Sequence, residues 1–369
     1  GVLIFIFLVK YVFKYKIFFL ARQSAQNRSE HTFCTILAVF RQKTGFSARE
    51  PLSAVEASQT RFDIIFPENP NPPLESTVMD RRQLMTGLGL AGLGLLATSN
   101  SASAAPAQRG SLWYDKPAAD WLEALPVGNG SLGGMIFGAT EKERIQFNEQ
   151  TLWTGDEIKM GNYQPFGDLF IDSPGFSGTT GYRRELDLSE AVHRTIFTAN
   201  GVKFTREVFS SHPDKLMVIR LSANKPGSVS ATFRLTDMHK AQISAAGGTI
   251  SATGVLENGL VYESRVQVVP EKGQLSVSGN NLTLEGADAA TIFLAAATDF
   301  TNSPEQKWRG EKPGPKIGRI LAAASGKPFG KLEADHIADH KALFNRVDVN
   351  FGPSRDDLST DKRIAVIEN

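Results

Sequence analysis

The sequence predicts a mainly β protein: a large antiparallel β-sandwich followed by the start of an α-helical linker. Three observations support this fold class. Short runs of alternating apolar and polar residues fill the chain from Leu112 to about Phe300, turn-forming residues separate them, and helical spacing begins afterwards. Two sheets that bury such alternating faces against each other form a sandwich. We assign residues 105–300 to this large sandwich, a super-sandwich, and residues 301–369 to a connector and helical linker.

Alternation identifies the individual strands. In "ERIQFNE", Ile145 and Phe147 alternate with polar residues, which indicates one buried face. "HRTIFTANGVKFTREVFSS" predicts a hairpin, because Asn200 and Gly201 supply the positive φ angles of a type I′ turn. Further strand-like segments follow, separated by Gly, Asn and Pro: "KLMVIRLSA", "GSVSATFRLTD", "TISATGVL", "VYESRVQVV", "GQLSVSG" and "ATIFLAAATDF".

The character of the chain changes after the last of these strands. "TNSPEQKWRGEKPGPK" is polar and contains Pro and Gly, which is typical of a connector. In "LEADHIADHKALFNRVDV" the apolar residues recur at near-helical spacing: Leu332, Ile337, Leu343, Phe344 and Val347. A helix is therefore predicted to leave the sandwich here.

Residues 79–104 have the three parts of an export signal. A short charged start precedes an apolar run over residues 84–97, and small residues end in an A-x-A site at Ala104. Arg81 and Arg82 favour the twin-arginine route, with a Sec signal that carries two arginines as the alternative. We expect cleavage after Ala104 and an exported protein, periplasmic or secreted, whose mature chain begins near Ala105.

Residues 1–78 differ from the rest in composition, and the first methionine in the chain is Met79. We interpret them as disordered sequence from spurious upstream translation. A membrane helix over residues 1–20 is disfavoured by Lys10, Lys14 and Lys16, since each charge near a bilayer centre costs about 3 kcal/mol. We expect no stable membrane anchor in the mature protein.

Composition excludes several classes of function. A net charge of +1, with 41% hydrophobic and 21% charged residues, describes an ordinary globular chain and gives no sign of a nucleic-acid partner. Cys34 is the only cysteine and lies within residues 1–78, so the mature chain has no disulfide, thiolate nucleophile or cysteine metal site. We expect neither a cofactor nor a metal.

Gly128, Gly130 and Gly133 have the G-x-G-x-x-G spacing of a dinucleotide site. Such a site needs a helix after the glycines, so that the helix N-terminus faces the phosphates. Here the following "GMIFGATEKERIQF" predicts strand, turn and strand. We therefore interpret the glycines as a tight turn inside a sheet.

Two other groups of polar residues are candidates for a zinc site and for a catalytic pair. His336 and His340 lie one helical turn apart, as zinc ligands often do, but no third ligand is identifiable, and a solvated or interdomain helix face is the favoured interpretation. Four acidic residues of the sandwich could supply a catalytic pair, although scattered carboxylates on a sandwich are usually surface charge: Glu149, Asp156, Asp168 and Asp187.

Five ordered segments resemble the N-terminal β domain of glycoside hydrolase family 95, the inverting α-L-fucosidases: "LWYDKPAADWLEALPVGNGSLGGMIFG", "ERIQFNEQTLWTG", "YQPFGDLFID", "YRRELDLSEAV" and "VKFTREVFSSHPDKLMVIRLSA". "HIADHKALFNRV" and "STDKRI" resemble the helical linker of that family. Ser131 replaces an expected Arg, Phe147 replaces an expected Leu, and the connection from Trp153 to Tyr163 lacks a helical insertion. These departures affect the assignment of the subfamily and the substrate, but not the assignment of the domain.

The resemblance implies an (α/α)6 catalytic barrel after the linker, in which a Glu is the general acid and an Asn backed by an Asp activates water. The chain would then be truncated before the barrel, hold no catalytic residue and be inactive alone. The implied reaction is hydrolysis of terminal α-L-fucosyl linkages with inversion, on a fucosylated oligosaccharide or polysaccharide bound by the barrel. The alternatives are an α-L-galactosidase of the same family and a non-catalytic, glycan-binding sandwich.

Five residues in the most family-like stretch are candidates for substrate or interdomain contact: Trp121, Asn129, Asn148, Glu149 and Trp153. A buried core needs neither two Asn nor a Glu, since each demands a hydrogen-bond partner. Trp153 has three possible roles: packing against the catalytic domain, stacking on a sugar, or filling the sandwich core.

Overall fold

The computed structural model describes residues 110–176, 178–349 and 355–368. The predicted export signal, with Arg81, Arg82 and the cleavage site after Ala104, lies outside the described residues, as do residues 1–78 with Cys34. Among the described residues, no helix combines the length and apolarity needed to cross a bilayer.

Two antiparallel sheets form the body of the described chain, and the predicted sandwich is confirmed. The nine-stranded sheet has the order β1-β6-β7-β8-β9-β16-β13-β12-β11, and the seven-stranded sheet has the order β14-β15-β10-β5-β4-β3-β2. The strands are β1 Ser111–Tyr114, β2 Leu125–Gly128, β3 Leu132–Ile136, β4 Lys142–Glu149, β5 Gly167–Asp172, β6 Thr180–Asp187, β7 Val192–Ala199, β8 Val202–Ser211, β9 Leu216–Ala223, β10 Val229–Asp237, β11 Gln242–Ala246, β12 Thr249–Val255, β13 Val261–Glu271, β14 Gln274–Ser278, β15 Asn281–Ala287 and β16 Ala289–Thr298.

The main core lies between the two sheets and follows the alternation in the sequence. On β4, Ile145 and Phe147 are 0% and 1% exposed and face the nine-stranded sheet. Arg144 and Gln146, which alternate with them, are half-buried. Further members of this core come from both sheets: Ile136, Leu169, Ile171, Phe233, Val266, Ile292 and Leu294. Burying these side chains is the dominant favourable term in folding.

Both predicted turns are confirmed. Asn200 and Gly201 connect β7 to β8 with φ angles of 51° and 73°, as the type I′ hairpin requires. Gly128 on β2 pairs with Gly133 on β3, and Gly130 in the turn between them has a φ of 93°, a conformation that other residues rarely adopt. Because a strand rather than a helix follows, this turn does not form a dinucleotide site.

The described residues include three helices: α1 Pro313–Ser325, α2 Phe329–Phe344 and α3 Thr360–Glu368. Helix α2 confirms the predicted helix, although Val347 lies beyond its end. Helices α1 and α2 cover the outer face of the nine-stranded sheet, where their apolar residues form a second core with β8, β9 and β16: Ile317, Leu321, Leu332, Phe209, Val218 and Phe293. Helix α3 meets the edge strand β1, since the backbone N–H of Trp113 donates to Thr360 Oγ1 at 2.9 Å.

Candidate functional site

Asn129 organises the β2–β3 turn and connects the two sheets. Its Oδ1 accepts hydrogen bonds from the backbone N–H groups of Ser131 and Leu132, at 3.0 and 2.9 Å. Its Nδ2 donates to the carbonyl oxygen of Ser211, at the end of β8 in the other sheet, over 3.0 Å. All of these contacts are internal, so the side chain of Asn129 has a structural role.

Glu149, at the end of β4, is 4% exposed and accepts three hydrogen bonds. Ser131 Oγ donates to Oε1 at 3.1 Å, and the N–H and hydroxyl of Thr151 donate to Oε2 at 2.9 and 2.6 Å. Burial raises the pKa of the Glu149 carboxyl, while these donors and the charge of Lys316 oppose the rise. The hydroxyl of Thr151 also contacts Thr298 Oγ1 of β16 at 2.5 Å, so the carboxylate is linked to the other sheet.

Asn148 and Trp121 stand apart from this network. Among the described residues, the only side-chain hydrogen bond of Asn148 is the one that its Oδ1 accepts from the backbone of Glu149 at 2.9 Å. Trp121 lies in the turn before β2 and is 43% exposed. No hydrogen bond or ring contact between described residues joins Trp121 to the other four candidates, so the structure does not form one site from all five.

Trp153 begins a loop, residues 153–163, that projects from the end of the sandwich. Its side chain is 39% exposed, its indole N–H donates to the carbonyl of Met160, and its ring lies 6.0 Å from that of Tyr163. The loop closes tightly, because a Cβ added to Gly155 would lie 2.2 Å from the Met160 carbonyl oxygen. This exposure argues against the sandwich core as the place of Trp153.

Two neighbouring segments anchor this loop. Asn258, between β12 and β13, donates to the carbonyl oxygens of Trp153 and Gly155 at 2.9 and 2.8 Å. Arg309 donates to the carbonyl of Asn258 at 2.8 Å, and the indole of Trp308 donates to Glu157 at 2.7 Å. The segment from Phe300 to Arg309 therefore lies against the loop. These polar anchors were not predicted from the sequence.

Large apolar side chains are exposed on this loop and at the start of the segment that lies against it, and we call them together the apolar rim: Trp153, Ile158, Met160 and Phe300. Ile158 is 93% exposed, Met160 84% and Phe300 42%. Soluble proteins seldom expose several large apolar side chains together except where another surface covers them. The apolar rim is thus a candidate contact surface, and Trp153 is the one sequence candidate that belongs to it.

The histidine pair faces the sandwich. His336 is 5% exposed and stacks on Phe209 at 4.7 Å, and its Nε2–H donates to the Ala191 carbonyl at 3.1 Å. His340 donates to the Leu188 carbonyl at 2.9 Å. This helix face therefore packs against the sandwich and is not solvated, and the interdomain alternative stays a prediction. Within residues 110–176, 178–349 and 355–368, no group of three or more metal-ligating side chains comes together.

The expectation of surface charge is wrong for three of the four acidic residues. Asp156 is exposed and caps its own loop through the N–H groups of Ile158 and Lys159. In contrast, Glu149, Asp168 and Asp187 are buried. Asp168 pairs with Arg144 at 2.9 Å, and Asp187 accepts from Ser189 at 2.7 Å. Their burial is possible because each carboxylate has a nearby donor.

Comparisons with known proteins agree on one family. A sequence model described as "Glycosyl hydrolase family 65, N-terminal domain" matches residues 112–163 and 156–303, more than half of the chain. "Alpha-L-fucosidase 2" of Arabidopsis thaliana is 29% identical over 310 residues, covering 66% of this chain and 37% of that protein. "Probable alpha-fucosidase A" of Aspergillus niger is 28% identical over 294 residues, covering 64% and 37%.

A solved structure titled "Putative kojibiose phosphorylase from human microbiome" is 14% identical with a TM-score of 0.35, covering 59% of this chain and 35% of that one. The chain spans 37% of the length of each of the two fucosidases, so the comparison concerns one part of those proteins. The match to the sequence model and the two fucosidase relatives together support the predicted N-terminal β domain of family 95. The chain belongs to the family of glycosyl hydrolase family 65 N-terminal domains.

Proposed function

We propose that this chain is the N-terminal part of an exported glycoside hydrolase that removes terminal α-L-fucosyl residues with inversion. The observation that carries the proposal is the similarity to two proteins named as α-fucosidases, from a plant and from a fungus, over most of the sandwich. The chain covers only 37% of each, so the catalytic groups of those proteins have room to lie outside the matched part.

The arrangement of the carboxylates supports the proposal that the sandwich has no catalytic groups of its own. An inverting glycosidase needs an acid and a base about 6.5–9.5 Å apart, with space for a water molecule beside the sugar. The buried carboxylates of the described residues are instead engaged with neighbouring donors: Glu143 with Arg206, Glu149 with Thr151, Asp168 with Arg144, Asp187 with Ser189, Asp214 with Lys327, Glu263 with Arg265 and Asp299 with Lys312.

The apolar rim supports contact with a catalytic domain. A surface for sugars pairs aromatic rings with free polar groups, whereas the other large exposed side chains of the Trp153 loop are those of Ile158 and Met160. Methionine and aromatic residues are enriched where protein surfaces meet. We therefore place the catalytic domain, rather than the substrate, against this surface.

The activity test compares two proteins on an α-L-fucoside and an α-L-galactoside. One consists of residues 105–369, and the other continues with the sequence encoded after residue 369. Only the longer protein should release fucose, with inverted anomeric configuration by NMR. Fucose release by the pure shorter protein would overturn the proposal. A preference for the galactoside would support the related galactosidase, and glycan binding without hydrolysis by the longer protein would support a binding module.

The export test uses N-terminal sequencing of the secreted protein, which should begin at Ala105. Replacing both Arg81 and Arg82 by Lys should block a twin-arginine route and leave a Sec route largely intact. Secreted protein that retains residues upstream of Met79 would contradict this part of the proposal.

A further inference from the structure

A row of polar side chains crosses the interior of the sandwich. Arg184 on β6 lies directly opposite Thr195 on β7, and Thr195 lies opposite Arg206 on β8. His193 is two residues before Thr195 and shares its face of the strand. These four residues are at most 3% exposed, although they occupy positions that elsewhere on this face hold apolar side chains.

The two arginines differ in how their charges are compensated. Arg206 pairs through Nη1 with Glu143, a fully buried residue of the seven-stranded sheet. Arg184 donates to the carbonyls of Lys116 and Glu123 at 2.8 and 2.7 Å, and its guanidinium lies 3.9 Å from the centre of the Tyr114 ring. Within the described residues, Arg184 has no carboxylate at ion-pair distance. An arginine remains charged in proteins, so Arg184 is a buried positive charge on which Glu123 and Glu143 act only from beyond ion-pair distance.

The same row concentrates unpaired polar atoms. Among the described residues, eight buried side-chain nitrogen or oxygen atoms make no hydrogen bond, and five of them belong here: Arg184 Nη2, Arg206 Nε, Thr195 Oγ1 and both ring nitrogens of His193. Burial and the charges of Arg184, Arg206 and Arg194 lower the pKa of His193 to about 3, so its ring is neutral and carries one N–H. The unpaired groups are therefore mostly donors, and they require an acceptor.

We propose that this row binds a monovalent anion, chloride in the physiological setting, between Arg184, Thr195 and Arg206. In this proposal the ion lies beside Thr195, which is shorter than the arginines on either side of it, so that unpaired donors from three adjacent strands flank the ion. A water molecule could accept these hydrogen bonds, but it would not compensate the charge of Arg184. Because an uncompensated charge in a protein interior is costly, an anion fits the site better than water.

The β3–β4 turn of the seven-stranded sheet lies against this row. Gly138 lies against Arg184, since an added Cβ would be 2.7 Å from Arg184 Cδ. The N–H of Gly138 also donates to Glu143 at 3.0 Å, and Ala139 accepts from Arg206 at 2.9 Å. An anion here would connect three strands of one sheet to a turn of the other, so its role would be to stabilise the fold.

Bromide provides a direct test, because it replaces chloride and scatters X-rays anomalously. The full chain is purified and crystallised in bromide as the only halide. An anomalous peak within about 3.5 Å of Arg184 Nη2 and Thr195 Oγ1 is expected. Density without an anomalous signal at this position would assign water to the site and overturn the proposal, as would bromide found only elsewhere.

Stability provides a second test that distinguishes this site from general salt effects. The melting temperature of the full chain should be higher by about 5 °C in saturating chloride than in methanesulfonate of equal ionic strength. Thr195→Val removes one donor without changing the size of the side chain and should remove most of this difference. Thr232→Val, at a half-buried position on β10, is the matched control and should retain the difference between the two salts. Equal melting temperatures in both salts, or an equal halide effect in both variants, would contradict the proposal. If Thr195→Val does not fold, the bromide experiment on the unaltered chain decides.

Discussion

The two sheets of the sandwich differ in how many of their faces are covered. In the nine-stranded sheet, β16 is buried along almost its whole length, because the other sheet covers one face and helices α1 and α2 cover the other. In the seven-stranded sheet, β4 buries alternate residues and leaves Arg144 and Gln146 half-buried on the outside. A continuous apolar strand therefore indicates two covered faces, and an alternating strand indicates one.

The largest effect that this comparison predicts concerns truncation after residue 303, where the match to the family ends. Removing α1 and α2 would expose the outer face of the nine-stranded sheet, including Phe209, Val218 and Phe293. We expect the shortened chain to be insoluble or to lack a cooperative unfolding transition in circular dichroism. A soluble, cooperatively folded chain ending at residue 303 would show that the helices are not part of the folding unit.

A single substitution tests the same interface more finely. Phe293→Ala should lower the free energy of unfolding by about 3–5 kcal/mol, because it opens a cavity between β16 and the helices. Phe300→Ala, on the 42%-exposed rim residue, is the matched control and should cost no more than about 0.5 kcal/mol. Urea unfolding of the three proteins measures both values. Equal losses would mean that the outer core contributes no more than the surface does.

Local sequence patterns predicted those strands and turns that depend on neighbouring residues in the sequence. The alternation of Ile145 and Phe147 identified β4, and the Asn200-Gly201 pair identified the β7–β8 turn. The start of α1 was missed because "PGPK" resembles a connector, although Pro313 at the first helical position leaves no backbone donor unpaired. Strands β1, β2, β5, β6, β11 and β15 were not separately predicted. In β11 no residue is fully buried, so its pattern is weak.

The polar interior and the apolar rim could not be predicted from local sequence patterns, because both depend on tertiary contacts. In "YRRELDL", Tyr182, Arg184 and Leu186 share one face, but an arginine in a strand ordinarily indicates the solvent side. Arg184 is buried because carbonyls at Lys116 and Glu123, more than sixty residues away in sequence, accept its hydrogen bonds. No local pattern contains those partners. For the same reason the sequence named Trp153 as a candidate but did not identify the surface formed with Phe300.

The inner faces of the two sheets also differ in charge. This difference should make the free energy of unfolding depend on pH. Burial, with Arg184 and Arg206 nearby, lowers the pKa of His193 from 6.5 to about 3. Between these values the unfolded chain binds a proton that the folded chain does not, so the free energy of unfolding falls as pH falls. The contribution of His193 is about 1.4 kcal/mol per pH unit within that window.

His193→Leu should remove that contribution. Urea unfolding of both proteins at several pH values between 7.5 and 4.5, with chloride held constant, gives two curves. Their difference should change with pH below about 6.5 at close to the stated slope. Subtraction also removes the contribution of other groups, such as Glu143, whose carboxyl pKa burial raises. Parallel curves would mean that the imidazole becomes protonated inside the folded sandwich.

The smallest effect on stability is expected at the apolar rim, which belongs to neither face of either sheet. Trp153→Ala removes a ring that is 39% exposed and contacts mainly its own loop, so the chain of 369 residues should lose at most about 1 kcal/mol. In the longer protein of the proposed function, the same substitution should lower fucoside hydrolysis and weaken coupling between the domains. Val255→Ala, at a 59%-exposed position on β12, is the control outside the rim and should change neither property. A loss of several kcal/mol in the 369-residue chain would mean that Trp153 supports the sandwich itself. Full activity of the longer Trp153→Ala protein would remove the apolar rim from the interdomain contact.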